Sequence, residues 1–126
     1  MNVWQGTFPS HNSRADGFLG TAPVTTYGPN GYGLYNMTGN VWEWCADWYD
    51  AAYYAASERR DPKGPEAGTR RVMRGGSYLC HESYCRRYRV AARGGNAVES
   101  SVGNLGFRCV VDERSSTRSG ARNGLG

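Results

Sequence analysis

At 126 residues with a net charge of +4, the chain has room for one small domain and excludes two substantial ones. Its 18 glycines, nine tyrosines and four tryptophans predict a turn-rich chain whose apolar burial comes largely from aromatic rings, without long helices. No basic-then-apolar leader is visible and no stretch approaches a membrane span, so no membrane partner is expected.

Residues 1–33 read as loops, broken every few positions by Gly6, Pro9, Gly17, Gly20, Pro23, Pro29, Gly31 and Gly33. A loop this long inside a compact domain needs an ordering agent, either bound metal or packed aromatic anchors. The chain also opens on a tryptophan and a turn, as a piece of a longer domain would.

In "NVWEW", Asn40 and Glu43 have capping-box spacing, yet Trp42 and Trp44 alternate across Glu43. A short turn or strand over 41–44 is favoured, with a weak helix or loop near 50–57. Residues 57–71, with "DPKGPEAG", read as an exposed loop. "RRVMRGGSYL" has strand character kinked at Gly75–Gly76. "CRRYRVAAR" alternates Tyr88 and Val90 with Arg87 and Arg89, which predicts another strand. Residues 94–104 read as a Gly/Asn/Ser loop, "LGFRCVVD" as the final strand, and 113–126 as a disordered polar tail after a domain spanning 1–112.

The positive charge concentrates in the middle, at Arg59, Arg60, Lys63, Arg70, Arg71, Arg74, Arg86, Arg87, Arg89 and Arg93. No nucleic-acid motif accompanies it. The expectation is a solvated face with arginines stacked on tyrosines, and no nucleic-acid partner.

Four cysteines, Cys45, Cys80, Cys85 and Cys109, allow two disulfides. Structural zinc is disfavoured because only Cys80 and Cys85 are close in sequence, at an unusual spacing. That pair, in "GGSYLCHESYC", suits a plain disulfide staple, a reversible disulfide, or a soft low-coordinate metal such as Cu(I). His81, Arg86 and Arg87 beside it predict a lowered thiol pKa. Cys45 reads as a buried free thiol.

The stretch "GGSYLCHESYCRRYRVAARGGNAVESSVGNLGFRCV" resembles the C-terminal end of the formylglycine-generating enzyme, or sulfatase-modifying factor, family. "NGYGLYNMTGNVWEW" and "NVWQGTFP…DGFLGTAPV" resemble the segments that precede it, so the likeness covers residues 2 to about 112. "GNVWEW", "RGGS" and "GFR" are shared by superfamily members doing other chemistry; the two-cysteine element is the specific part. The resemblance implies an irregular α+β fold related to C-type lectins, here incomplete, because the family's catalytic domains are more than twice this length.

It also implies an activity. The family oxidises a cysteine in the Cys-x-Pro-x-Arg motif of an unfolded sulfatase polypeptide to Cα-formylglycine, with O2 and a single copper ion. Carried over, Cys80 and Cys85 are the copper ligands, Ser77 and Tyr84 lie near them, and Trp42 lines the pocket. Two calcium sites follow likewise. One uses the Asn2 and Asp16 side chains with the Val3 and Phe18 carbonyls; the other uses Asn36 and Glu43 with the Gly39 and Val41 carbonyls. Irregular oxygen-rich loops suit calcium. The resemblance further implies a monomer when complete, and a Cys109 left without the partner it has in animal relatives. A cytoplasmic bacterial setting is favoured on the Arg/Ala/Gly bias, with the secretory lumen as alternative. Two competing readings are a differently catalytic or non-catalytic binding module, and a disulfide-stapled structural domain.

Overall fold

The computed structural model describes residues 1–111, so the expected tail at 113–126 lies outside the described residues. The elements are β1 (Gly6–Thr7), β2 (His11–Asn12), β3 (Trp42–Trp48), α1 (Tyr53–Ala56), β4 (Arg70–Arg74), β5 (Gly94–Ala97) and β6 (Leu105–Gly106). The result is an irregular α+β fold poor in regular secondary structure.

β1 and β2 form a small antiparallel hairpin within the expected loop region. The other strands make a four-stranded sheet in the order β5-β4-β3-β6. β3 runs antiparallel to β4, with Trp44 opposite Met73 and Trp48 opposite Arg71, and its register shifts between those pairs. β6 adds to β3 in parallel, with Trp42 opposite Leu105 and Glu43 opposite Gly106. The Trp42/Trp44 alternation therefore marked a real strand, and α1 falls within the expected 50–57 window.

Two strand assignments change. "CRRYRVAAR", residues 85–93, forms turns: the Arg89 N–H donates to Arg86 O at 3.4 Å and the Ala92 N–H to Arg89 O at 2.9 Å. Alternation alone does not make a strand, and here the backbone bonds to its own near neighbours instead. The expected loop at 94–104 instead opens with β5, whose "GGNA" pairs antiparallel with β4. A Cβ at Gly95 would collide with the Tyr49 ring. The missing side chain is what lets Tyr49 lie against this strand. The final strand is also shorter than expected, confined to Leu105–Gly106, and Cys109 is exposed beyond it.

The buried set is small and mixed. Ala22, Trp42, Val72 and Cys80 are the buried apolar residues, and Asn2, Asn40 and Ser77 the buried polar ones. Burying polar groups in such proportion requires that each be hydrogen-bonded. Three arginines lie over aromatic rings: Arg70 over Tyr49 and Arg71 over Trp48 in β4, and Arg93, just before β5, over Tyr53 and Tyr54. Arg93 also forms an ion pair with Asp47 at 2.7 Å.

Candidate functional site

The cysteine element begins where β4 ends. Gly75 and Gly76, both at positive φ, turn the chain out of the sheet and into Ser77. The Cys80 N–H donates to Ser77 O at 2.9 Å, and the Ser77 N–H points back to Cys80 Sγ at 3.4 Å. A second turn follows, in which the Tyr84 and Cys85 N–H groups both donate to His81 O, at 3.0 and 2.7 Å. It brings Cys85 Sγ to 2.9 Å from Cys80 Sγ. Both are free cysteines in this structure.

The thiol environment differs from the one the neighbouring charges predicted. Burial, together with the hydrogen bond to Cys85, pushes Cys80 up to about 11; the Ser77 N–H opposes this without overcoming it. Arg86 and Arg87 are exposed, where solvent screens them. Cys45 is half-buried and free, and burial raises its pKa as well.

Ser77, fully buried, organises the element. Its Oγ accepts from the Leu79 N–H at 3.3 Å and from Asn104 Nδ2 at 3.0 Å. Asn104 O in turn accepts the Trp42 N–H at 2.8 Å. Asn104 thereby links two residues singled out in the sequence, Ser77 and buried Trp42. Nothing in its loop composition announced that role. Tyr84, next to Cys85, is 73% exposed, and its ring stacks on Phe8 at 4.7 Å. Phe8 meets Trp4 edge-on at 5.2 Å, and the Trp4 N–H donates to Cys80 O at 3.0 Å. Trp4 and Phe8 thus tie the first loop to the cysteine element, which is the aromatic anchoring that loop required. Trp4 Nε1 is the one buried side-chain polar atom without a partner among the described residues.

The oxygen-donor residues form two further groups. Asn2 is buried and donates through Nδ2 to Gly20 O at 2.8 Å and to Asn40 Oδ1 at 3.1 Å, which leaves its side-chain oxygen as an acceptor. Asp16 accepts the Phe18 N–H at 3.1 Å and the Tyr27 hydroxyl at 3.3 Å. In the second group, Asn36, Val41 and Glu43 line a cleft of about 370 Å³ together with Leu34, Tyr35 and Arg108. Asn36 donates through Nδ2 to Val24 O at 3.0 Å, which leaves its oxygen as an acceptor. Both sets therefore offer the hard oxygen donors that calcium takes, and the thiol pair offers the soft donors that Cu(I) takes. Among the described residues no three His, Cys, Asp or Glu side chains converge. Any metal here would draw on amide and backbone oxygens, or on a third sulfur from elsewhere.

Two residues that sequence reasoning passed over dominate these groups. Asn40, read as a cap, sits at φ +65° and uses its side chain as a clamp. Its Oδ1 accepts the Ala22 N–H at 2.8 Å, and its Nδ2 donates to Ala22 O at 3.2 Å. Arg108, read only as part of a final strand, grips Glu43 with two donors, Nε to Oε2 at 2.6 Å and Nη2 to Oε1. The same Nη2 donates to Tyr35 O at 2.9 Å.

The model of the sulfatase-modifying factor enzyme 1-like domain matches residues 1–113. The formylglycine-generating enzyme of Thermomonospora curvata is 61% identical over 114 residues, covering 88% of this chain and 38% of that protein. A bovine protein named inactive C-alpha-formylglycine-generating enzyme 2 is 42% identical over 112 residues, covering 86% of this chain and 33% of its own length. Among solved structures, PvdO from Pseudomonas aeruginosa superposes with a TM-score of 0.63 at 27% identity, over 83% of this chain and 36% of that one. The chain thus spans little more than a third of the relatives it matches. Matched along almost all of its described length, the chain belongs to the formylglycine-generating enzyme, or sulfatase-modifying factor, family.

Proposed function

We propose that this chain is the C-terminal part of a domain that oxidises a cysteine in a Cys-x-Pro-x-Arg motif of an unfolded sulfatase polypeptide to Cα-formylglycine, using O2. The observation that carries the reading is the pair of free thiols, Cys80 and Cys85, held 2.9 Å apart by two successive turns. Copper(I), when bound, would supply electron transfer to O2 and removal of hydrogen from the substrate Cβ.

The chain's own residues would do the rest. Cys80 and Cys85 would hold the ion. The Ser77 N–H would support the Cys80 thiolate, because it already points at that sulfur. Burial favours the neutral thiol, so loading the pair must expel protons, and copper affinity is expected to rise with pH. Trp42 and Asn104 would wall the site and hold Ser77 in place. The Asn2/Asp16 and Asn36/Glu43 groups would each take one calcium ion and stiffen the loops. The C-type lectin relationship and a cytoplasmic setting belong to the same reading. So do a domain spanning 1–112 and a monomeric whole protein.

The bovine relative named inactive favours a second reading, a non-catalytic member of the family. Anaerobic Cu(I) titration of the reduced chain separates the two. One-to-one binding, lost in the Cys80→Ala, Cys85→Ala double variant, is expected, followed by copper-dependent appearance of a hydroxylamine-reactive aldehyde on a Cys-x-Pro-x-Arg peptide. Saturable copper binding without peptide oxidation by the full-length protein would favour the second reading. No binding by a folded sample would leave a structural cysteine pair.

A further inference from the structure

Glu43 stands in β3 with its side chain only 19% exposed, and its carboxylate needs a positive partner. The resemblance assigns that partner as calcium. The structure supplies a different one from inside the chain. Arg108, two residues after β6, reaches across the cleft with a guanidinium fork that engages both carboxylate oxygens. The fork's third contact, Nη2 to Tyr35 O, lands on the residue before Asn36. Arg108 therefore joins the three segments that frame the proposed second calcium site: β3, the loop at 34–36, and the chain leaving β6.

We propose that Arg108 is an internal competitor for calcium at this site. It neutralises Glu43 when the ion is absent, and it sets a low affinity that the ion must overcome by sharing or displacing the fork. The inference rests on the calcium reading above and adds a residue outside that ligand set. The physical argument is charge and geometry. A guanidinium fixed on a carboxylate lowers the negative potential that draws a divalent cation. The fork also uses lone pairs that the ion would otherwise take. Its contact with Tyr35 O means that displacing it frees the 34–36 loop from the chain after β6. Ion entry would thus exchange one cross-link for another while the loop stays tethered.

The neighbouring charges do not alter this account. Arg74 lies opposite Glu43 in the β3–β4 ladder, but its guanidinium is turned to Val90 O. Asn36 and Asn40 contribute no charge to the cleft.

The test is titration of the full chain with calcium, and with terbium(III) as a luminescent calcium substitute. Wild type, Arg108→Gln, Arg108→Lys and Glu43→Gln are compared, each first shown to be folded by circular dichroism. The expected result is one site that tightens at least about tenfold in Arg108→Gln. Arg108→Lys, which keeps the charge and loses the fork, should fall between wild type and Arg108→Gln. Glu43→Gln should remove that site alone. Equal or weaker binding in a folded Arg108→Gln chain, with wild type still binding, overturns the competition and leaves the calcium reading standing. No ion bound by any folded variant overturns both.

Discussion

The sheet and the loops that flank it are built on different principles. The β3–β4–β5 sheet is held by a backbone ladder around fully buried Val72, with arginines laid over aromatic rings on its outside. The loops at 1–41 and 75–92 have almost no ladder. They are held by single side chains: Asn40 clamped on Ala22, Asn2 on Gly20, and Ser77 between Leu79 and Asn104. Every site residue expected from the sequence outside β3 lies in that second region. A ladder spreads its stability over many equivalent bonds, whereas a clamp concentrates it in one residue. Positioning in this protein therefore depends on a few buried polar groups.

Four measurements bear on this contrast. The largest effect is expected from Asn40→Ala. It removes three side-chain hydrogen bonds, leaves buried backbone groups unpaired, and places alanine at φ +65°. A loss of about 3 kcal/mol or more is expected by denaturant unfolding, with Cu(I) binding lost in parallel. A loss under about 1 kcal/mol would show that the clamp is not what holds the loops.

Val72→Ala truncates the most deeply buried sheet residue and should cost about 2 kcal/mol. A cost equal to or above that of Asn40→Ala would break the contrast between the two regions.

The third measurement is a pH series. Burial pushes the Cys80 thiol up to about 11 in the fold, from an ordinary value of about 9 for the unfolded chain. Between those values the folded state binds the proton that the unfolded state has released. Stability should therefore be fully present below pH 9 and fall as pH rises toward 11. Unfolding of wild type and Cys80→Ala over this window checks the sign, since the slope due to this group should vanish in the variant. The smallest effect is expected from Arg71→Ala, whose guanidinium lies 3.6 Å from the Trp48 ring centroid on the exposed side of the sheet. Under about 1 kcal/mol is expected.

The glycines mark where local reading failed. Gly39, at φ +74°, passes so close to Asn2 O that a Cβ could not be accommodated. That contact carries the Asn40 N–H to Asn2 O bond of 2.7 Å. In the sequence this glycine signalled only a turn. β5 was missed for a related reason, since "GGNA" has no strand preference of its own and pairs because Tyr49 fills the space above Gly95. The 85–93 segment failed in the opposite direction, because its alternating residues sit in turns closed by local backbone bonds.

What the order of residues determined alone was chemical type and local turn. It identified a turn-rich chain poor in regular structure, a strand through Trp42–Trp44, and a close pair of thiols in a motif specific enough to point to the family. These depend on neighbours a few positions apart, whose interactions are written in their spacing. Tertiary structure decided that the two thiols come into contact, and that burial raises the Cys80 thiol. It also placed Asn40, Asn104 and Arg108 in the side-chain contacts that tie the loops together. Each of these acts across 18 to 65 positions of chain. Burial and long-range hydrogen bonding depend on what the fold packs alongside a residue, and no local window contains that.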